Sequence, residues 1–349
     1  MKKVLKILLI LLIIVVVAFV GLLGMLTITE YRPADTESLE VRALGDPDIV
    51  PPGQLTVLRW NIGYAGLGKN EDFFMDGGST ARPKNADVVN GYLEGIRAAV
   101  AAEEPDFVLF QEVDSNSSRT HSIDETVALQ EWCSAYAMNY SCPFVPVPFP
   151  PMGKVHSGLL TTTDYVITEA DRIALPCPFS WPLRTANLKR CLLVSRLPVA
   201  GSDKQLVLVN LHLEAYDDGE GKLAQTSQLM DFLKAEYDKG NYVIAGGDFN
   251  QTFPGGLDYY PVVRGDFWAP GTLEGSMLPE GFGYAYDLTV PSCRLLNQPY
   301  NPADTENTQY YVIDGFIVSP NIVVHRVETL NLGFENSDHN PVSLTFTFG

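Results

Sequence analysis

Ser337-Asp338-His339-Asn340-Pro341, the five residues ahead of the last apolar run, decide how the rest of the chain is read. A carboxylate beside an imidazole at a polar tip before a strand suits His-as-base and Asp-as-ligand chemistry. Similar tips recur upstream. Gly246-Gly247-Asp248-Phe249-Asn250, Phe110-Gln111-Glu112 and Trp60-Asn61 each follow directly on a short apolar run of strand length. Carboxylates, amides and a histidine at the ends of several strands are the makings of a divalent-metal hydrolase site.

Each residue also has a plainer reading when taken alone. Glu112 is then a surface acid at a strand end, and Asn61 a turn residue. Asp248 and Asn250, two apart, would point the same way if extended. Asp248 could then accept a proton from water and Asn250 donate to a phosphate oxygen; the alternative is an Asx turn. The Gly246-Gly247 doublet favours function, because it lets another group approach the backbone closely. His212, inside Val207-Leu208-Val209-Asn210-Leu211-His212-Leu213, reads as a hydrogen-bonded core histidine. Asp314 is an acid within the apolar run Val312-Ile313-Asp314-Gly315-Phe316. It needs a partner there, and an imidazole would serve.

In order along the chain, Trp60-Asn61, Gln111-Glu112, Asn210-Leu211-His212, Gly247-Asp248-Phe249-Asn250, Ile313-Asp314 and Ser337-Asp338-His339 resemble the motif series of the endonuclease/exonuclease/phosphatase superfamily. That superfamily includes deoxyribonuclease I, exonuclease III, neutral sphingomyelinases and inositol polyphosphate 5-phosphatases. The similarity covers residues 54–349. It implies a two-sheet α/β sandwich and metal-dependent cleavage of a phosphodiester or phosphomonoester, with Mg²⁺ expected and Mn²⁺ or Ca²⁺ as alternatives. By match, Glu112 would be the principal metal ligand, with Asn61 and Asp338 near the metal. Asp248 and Asn250 would position water and phosphate. His339, oriented by Asp314, would be the general base or stabilise transition-state charge, the first role suiting a neutral imidazole. His212 would contact the phosphate or aid the leaving group. The resemblance leaves the substrate open among nucleic acid, a phospholipid head group and a small phosphodiester.

The chain has 349 residues, 46% of them hydrophobic and 19% charged, enough for a sizeable core. Lys2, Lys3 and Lys6 precede an uncharged stretch from Ile7 to Thr29. Its apolar part, roughly 22 residues or about 33 Å of helix, is long enough to span a bilayer. Residues 1–29 are therefore read as a transmembrane anchor with the remainder outside the cell, or alternatively as a cleaved signal. Residues 30–53, rich in Pro, Asp and Glu, read as a linker, and 54–349 as one catalytic domain. All 42 acidic residues follow the anchor against 21 of the 24 basic ones, so that part carries −21 formally. Such a charge disfavours general duplex-DNA binding without excluding a local basic groove.

Cys133–Cys142 and Cys177–Cys191 are candidate disulfides, with buried free thiols the alternative. The spacing predicts helices over 86–102, capped by Asn85, over 123–138 and over 221–237. Strands are predicted between them and in three runs at the end. Residues 251–309 form a long Gly-, Pro- and aromatic-rich loop of the kind that carries function. Further candidates for the cleft are Lys154, His156, Arg184, Lys189, Arg190, Thr289, Arg294, Tyr300 and an aromatic rim of Phe267, Trp268, Phe282, Tyr284 and Tyr286.

Overall fold

Two strand–helix–strand crossovers, one in each of two sheets, organise the molecule. The computed structural model describes residues 1–217 and 219–349. Helix α1 (Lys2–Ile28) leads into two short strands, β1 (Thr36–Ser38) and β2 (Val41–Ala43). The first crossover is β3 (Leu55–Asn61), α2 (Ala86–Glu103) and β4 (Phe107–Asp114). One turn of helix, α3 (Glu125–Ala128), precedes the long hairpin of β5 (Cys133–Val145) and β6 (Gly153–Thr163). Strands β7 (Glu169–Ala174), β8 (Cys191–Pro198) and β9 (Gln205–His212) follow, and β9 with α4 (Glu220–Asp238) and β10 (Tyr242–Asp248) makes the second crossover. The long connection after it carries short pieces: β11 (Gln251–Thr252), α5 (Gly256–Tyr259), β12 (Gly271–Thr272), β13 (Gly283–Ala285), β14 (Cys293–Arg294) and β15 (Tyr310–Tyr311). Strands β16 (Asp314–Val318), β17 (Ile322–Thr329) and β18 (Val342–Phe348) close the chain.

One seven-stranded sheet runs β1-β7-β8-β9-β10-β16-β13 and the other β17-β18-β3-β4-β6-β5-β2. Only β3/β4 and β9/β10 among the pairs of these two sheets are parallel, as the helical crossovers require. Alternation along the strands sorts the side chains. On β9, Leu206 and Leu208 enter the core between the sheets, while Val207, Val209 and Leu211 pack beneath α4. On β3, Leu55 and Val57 enter the inter-sheet core, and Leu58 and Trp60 face α2. Helix α2 forms where expected. The Asn85 side chain accepts from the Val88 amide, and Val89, Leu93, Ile96 and Val100 make one buried stripe. This is the expected two-sheet α/β sandwich, with an apolar helix at its N-terminus.

Three expectations need correction. The helix predicted over 123–138 is a single turn followed by strand β5. Cys133, Ala135 and Ala137 alternate into the inter-sheet core while Tyr136 packs on the other face, so period two prevails over local helix propensity. The segment 30–53, read as a linker, stitches both sheets. β1 pairs with β7, β2 pairs with β5, and Val50 is fully buried. Finally, all five cysteines are free. Cys133 and Cys142 lie nine residues apart on one strand, which sets them about 30 Å from each other and rules out a bridge.

The second crossover is clamped by charge. Glu236 near the end of α4 accepts from Arg196 of β8 at 2.7 and 2.9 Å, from Lys239 at 2.7 Å and from Asn241 at 3.0 Å. Burial opposes its ionisation, but these donors move its pKa from 4.5 down to about 2. A carboxyl depressed in the folded state stabilises the fold above its unfolded pKa and loses that contribution as pH falls. Glu236→Gln is therefore expected to lose about 2 kcal/mol in urea unfolding at pH 7. The deficit should shrink as pH falls from 4.5 toward 2; an unchanged deficit across that window would contradict the assignment.

Candidate active site

Both parallel strand pairs end at the same place. Asn61 is in register with Gln111 at the C-terminal end of the β3/β4 pair, and Asp248 with His212 at the end of the β9/β10 pair. Asp314 sits opposite Asp248 across β16. The loop before β18 brings Asp338 and His339 over these ends. Several bonds hold that loop. The Ser337 hydroxyl donates to the Asn61 carbonyl at 2.8 Å, Trp60 Nε1 donates to the His339 carbonyl at 2.9 Å, and the Asn340 amide donates to the Ser292 carbonyl at 2.8 Å. All eight residues singled out from the sequence are thus brought together. Glu112, His212, Asp248, Asn250, Asp338 and His339 line one cavity of about 600 Å³.

His339 is fixed by its neighbours. Its Nδ1 lies 2.8 Å from Asp314, which is also ion-paired with the buried Arg59 of β3. Burial opposes ionisation of Asp314, yet Arg59 and His339 hold its pKa below the ordinary carboxylate value. Burial would likewise lower the pKa of His339. The surrounding acids, Asp314 first, instead raise it well above the usual imidazole value. Its Nε2 faces Asp248 at 3.6 Å, Asp338 at 3.7 Å and the Asn61 amide nitrogen at 3.4 Å. His212 is the opposite case. Burial first, then the charges of Arg190, His339 and Arg59, lower its pKa far below 6.5. It stays neutral, with Nε2 3.5 Å from Asp248 and a buried Nδ1 that has no hydrogen-bond partner among the described residues.

The acids are crowded. Burial pushes Asp338 up to about 7, with the Glu112 charge adding to the effect. Burial and then Asp314 raise Asp248. Glu112 occupies a β-bulge where β4 loses register with β6, at a φ of 55°. A left-handed conformation at a non-glycine residue costs on the order of 1 kcal/mol. At Gly63, with φ at 51°, a side chain would come within 2.8 Å of the Asp338 carboxylate. At Gly247 a Cβ would meet the Leu211 carbonyl at 1.9 Å, so only glycine lets β10 lie against β9 there.

Two expected geometries differ. Asp248-Phe249-Asn250 is not extended. Asn250 has φ at 49° and its backbone N–H donates to Asp248 Oδ1 at 2.9 Å, an Asx turn. Asn61, expected beside the metal, accepts from the Gly63 amide through its oxygen. Its Nδ2 faces the acids, donating to Glu112 and to Asp248 at 3.0 Å each. Among the other candidates, Arg190, Arg294 and Trp268 line the cavity, whereas Lys154, His156, Thr289 and Tyr300 do not. Phe282, Tyr284 and Tyr286 pack in the core beneath α4 instead of forming a rim.

Arg59, Arg119 and Cys293 were missed. Arg59 carries the same signal as Asp314, a lone charge in an apolar strand. Arg119 stacks on Tyr64 at 3.6 Å, pairs with Asp114 and reaches the cavity wall, with no local motif to flag it. Cys293 bridges to His339 along the backbone, and burial raises its thiol to about 12, so it is not a thiolate.

A divalent cation fits this donor set. Two groups of donor atoms lie within 4.8 Å of one another, Cys293-Asp338-His339 and Asp248-Asp314-His339. In the second, Asp314 and His339 are already committed to each other, and in the first the thiol is protonated. Glu112, outside both groups, lines the same cavity as Asp338 and Asp248, and all three carboxylates are oxygen donors of the kind hard cations take. Their mutual repulsion, visible in Asp338, is what such an ion would relieve.

The family profile described as Endonuclease/Exonuclease/phosphatase family matches residues 60–339. The chain belongs to that family, whose members are generally phosphoester hydrolases. No curated protein matches the sequence. Similar solved structures include an endonuclease/exonuclease/phosphatase from Beutenbergia cavernae, 17% identical over 85% of this chain and 72% of the other, with a TM-score of 0.55. Another, from Bacteroides vulgatus, is 14% identical over 85% of this chain and 100% of its own, with a TM-score of 0.54. A family protein from Leptotrichia buccalis is 13% identical over 84% and 100%, with a TM-score of 0.52. At these identities the likeness is one of fold.

Asp314 sets the charge of His339, so Asp314→Asn is expected to lower the imidazole pKa by at least about one unit. Titrating the His339 ring protons by NMR checks this. An unshifted midpoint would place the charge's origin elsewhere.

Proposed function

We propose that this protein is a membrane-tethered hydrolase of phosphoesters that works with Mg²⁺, or with Mn²⁺ or Ca²⁺ in its place. The observation that carries the reading is the convergence of Glu112, Asp248, Asp338, His212 and His339 on one cavity. A divalent ion held by Glu112 and Asp338 would offset charge on the phosphoryl oxygens and the leaving group. Asn61 orients the acids by donating to both Glu112 and Asp248. Asp248, its pKa raised by burial and Asp314, is the proton acceptor for the attacking water. The new P–O bond forms in line as the bond to the leaving oxygen breaks. His339, already protonated and fixed by Asp314, offers its Nε2–H to the phosphoryl oxygens as they gain charge. Neutral His212 lies on the same wall as a further donor to the phosphate, beside Asn250, whose Nδ2 donates one hydrogen to the Leu213 carbonyl at 2.9 Å.

Helix α1 is long and apolar enough to cross a membrane, as a signal sequence also can be. In the proposed topology the basic end of α1 stays inside and the sandwich lies outside the cell. Residues 54–349 act as the catalytic domain, with 30–53 bound into its sheets.

The test is hydrolysis by the purified full chain of bis(4-nitrophenyl) phosphate, phospholipids, DNA and RNA, with Mg²⁺ and with chelator. Activity should require the ion. Asp248→Asn and His339→Ala should each reduce turnover about 10²–10⁴-fold with the fold intact. Metal-independent turnover, or wild-type rates in both variants, would overturn the reading. Glu112→Gln should separately raise the Mg²⁺ concentration giving half-maximal activity by about tenfold or more. An unchanged metal titration would remove Glu112 as a ligand.

A further inference from the structure

The cavity that holds the catalytic residues extends well beyond them. The same space is bounded by Leu67, Met75, Met152 and Leu183, and by Phe19 and Leu23 of α1. The catalytic side chains are nearly all buried, whereas Met75 is 50% and Leu183 67% exposed, so these two mark its mouth. Part of the wall is therefore the apolar helix itself.

That helix is docked by its last turns. Leu26 is buried against Tyr140, Cys142 and Met152, with Leu22 beside it. Trp181 Nε1 donates to Thr27 Oγ1 at 3.0 Å, and Glu30 pairs with Arg184 and Lys189 at 3.3 Å each. The apolar side chains from Val4 to Val20 are left at least half exposed. They span about 17 residues, or about 26 Å, near the lower limit for crossing a bilayer. With so little helix to spare, the docked end holds the mouth at the membrane surface. Phe149, 95% exposed, and Trp181, 54% exposed, lie close in sequence to cavity-lining Val147 and Leu183 and suit contact with lipid.

A polar substrate arriving from water would have to pass this apolar wall without using it. A lipid uses both parts. Resting on the hydrolase reading above, we propose that the substrate is a membrane phospholipid. One acyl chain lies in the apolar vestibule between α1 and the sandwich, and the head-group phosphate reaches Asp248 and His339. Arg119, paired with Asp114, and Arg190, paired with Glu214, are buried in the same wall. Hydrolysis then breaks one phosphate ester bond of the lipid, with the proton and electron flow already given.

The test uses the full-length Asp248→Asn protein in phosphatidylcholine vesicles. These contain a phosphatidylcholine with a diazirine at the end of one acyl chain. After irradiation, labelled residues are mapped by mass spectrometry. Label is expected on Leu67 or Met152, buried residues that bilayer lipid cannot otherwise touch. Leu183→Glu, a change at an exposed rim position that the fold tolerates, should reduce that label about tenfold by placing a charge where the chain enters. Label confined to the segment from Val4 to Ala18 would overturn the inference.

Cleavage of bis(4-nitrophenyl) phosphate by the wild-type chain reads the hydrolase assignment separately. Such cleavage without vestibule label would overturn the lipid substrate alone. Vestibule label with no cleavage of any ester would leave a lipid seat and overturn the hydrolase. Cleavage of duplex DNA at a higher kcat/KM than any vesicle lipid would replace lipid by nucleic acid.

Discussion

The ion pair of Arg59 with Asp314, and through Asp314 with His339, is the constraint on which the rest of the site depends. Arg59 comes from the β3 sheet and Asp314 from the β16 sheet. Gln111 receives a hydrogen bond from Arg59 and donates to Asn210 at 2.7 Å, and Asn210 donates back to the Phe110 and Leu160 carbonyls at 3.0 Å. Buried charges are costly to desolvate and strongly destabilising when one partner is lost. The apolar core between the sheets is non-directional and would tolerate many relative placements. The polar set has one geometry, and that geometry places the ends of both parallel strand pairs face to face.

The consequences run outward from there. With Nδ1 committed to Asp314, His339 has only Nε2 left for the cavity. Asp248 and Asp338 crowd that nitrogen at 3.6 and 3.7 Å, and the acids around the ring raise its pKa. Glu112 adds a further carboxylate from a bulge in an unfavourable backbone conformation, and Gly63 leaves room for Asp338. Local strain, a raised carboxyl pKa and a buried unpartnered imidazole nitrogen all fall within this one cavity. Sites that must receive a cation and a phosphate are where such tensions are expected to gather. The apolar half of the cavity has a different origin, since it exists because α1 folds back against β5.

Much of this was legible in the sequence, and what was not has physical causes. Strand-end placement of Asn61 and Asp248 followed from apolar runs ending in polar residues. An acid inside the apolar strand of Asp314 demanded a buried partner, and the structure supplies two. The same logic applied to Arg59 would have found the second of these. The strand β5 was misread because Ala and Met fit either period, and only the sheet it joins decides. The Asx turn at Asn250 was the plainer of two readings offered for that residue. Charge of His339 could not be read, because it depends on how closely three acids surround it. Docking of α1 was equally hidden, for nothing in an apolar helix says which of its turns meets protein and which meets lipid.

The pair of Glu112 and Asp338 as a divalent-cation site is the centre of this account. Anomalous diffraction from a crystal of the full chain soaked in Mn²⁺ tests it most directly. One strong peak within about 2.2 Å of a Glu112 oxygen, with Asp338 in reach, is the expected result. A peak on the Cys293 side with Glu112 unligated, or no peak at saturating Mn²⁺, would contradict it.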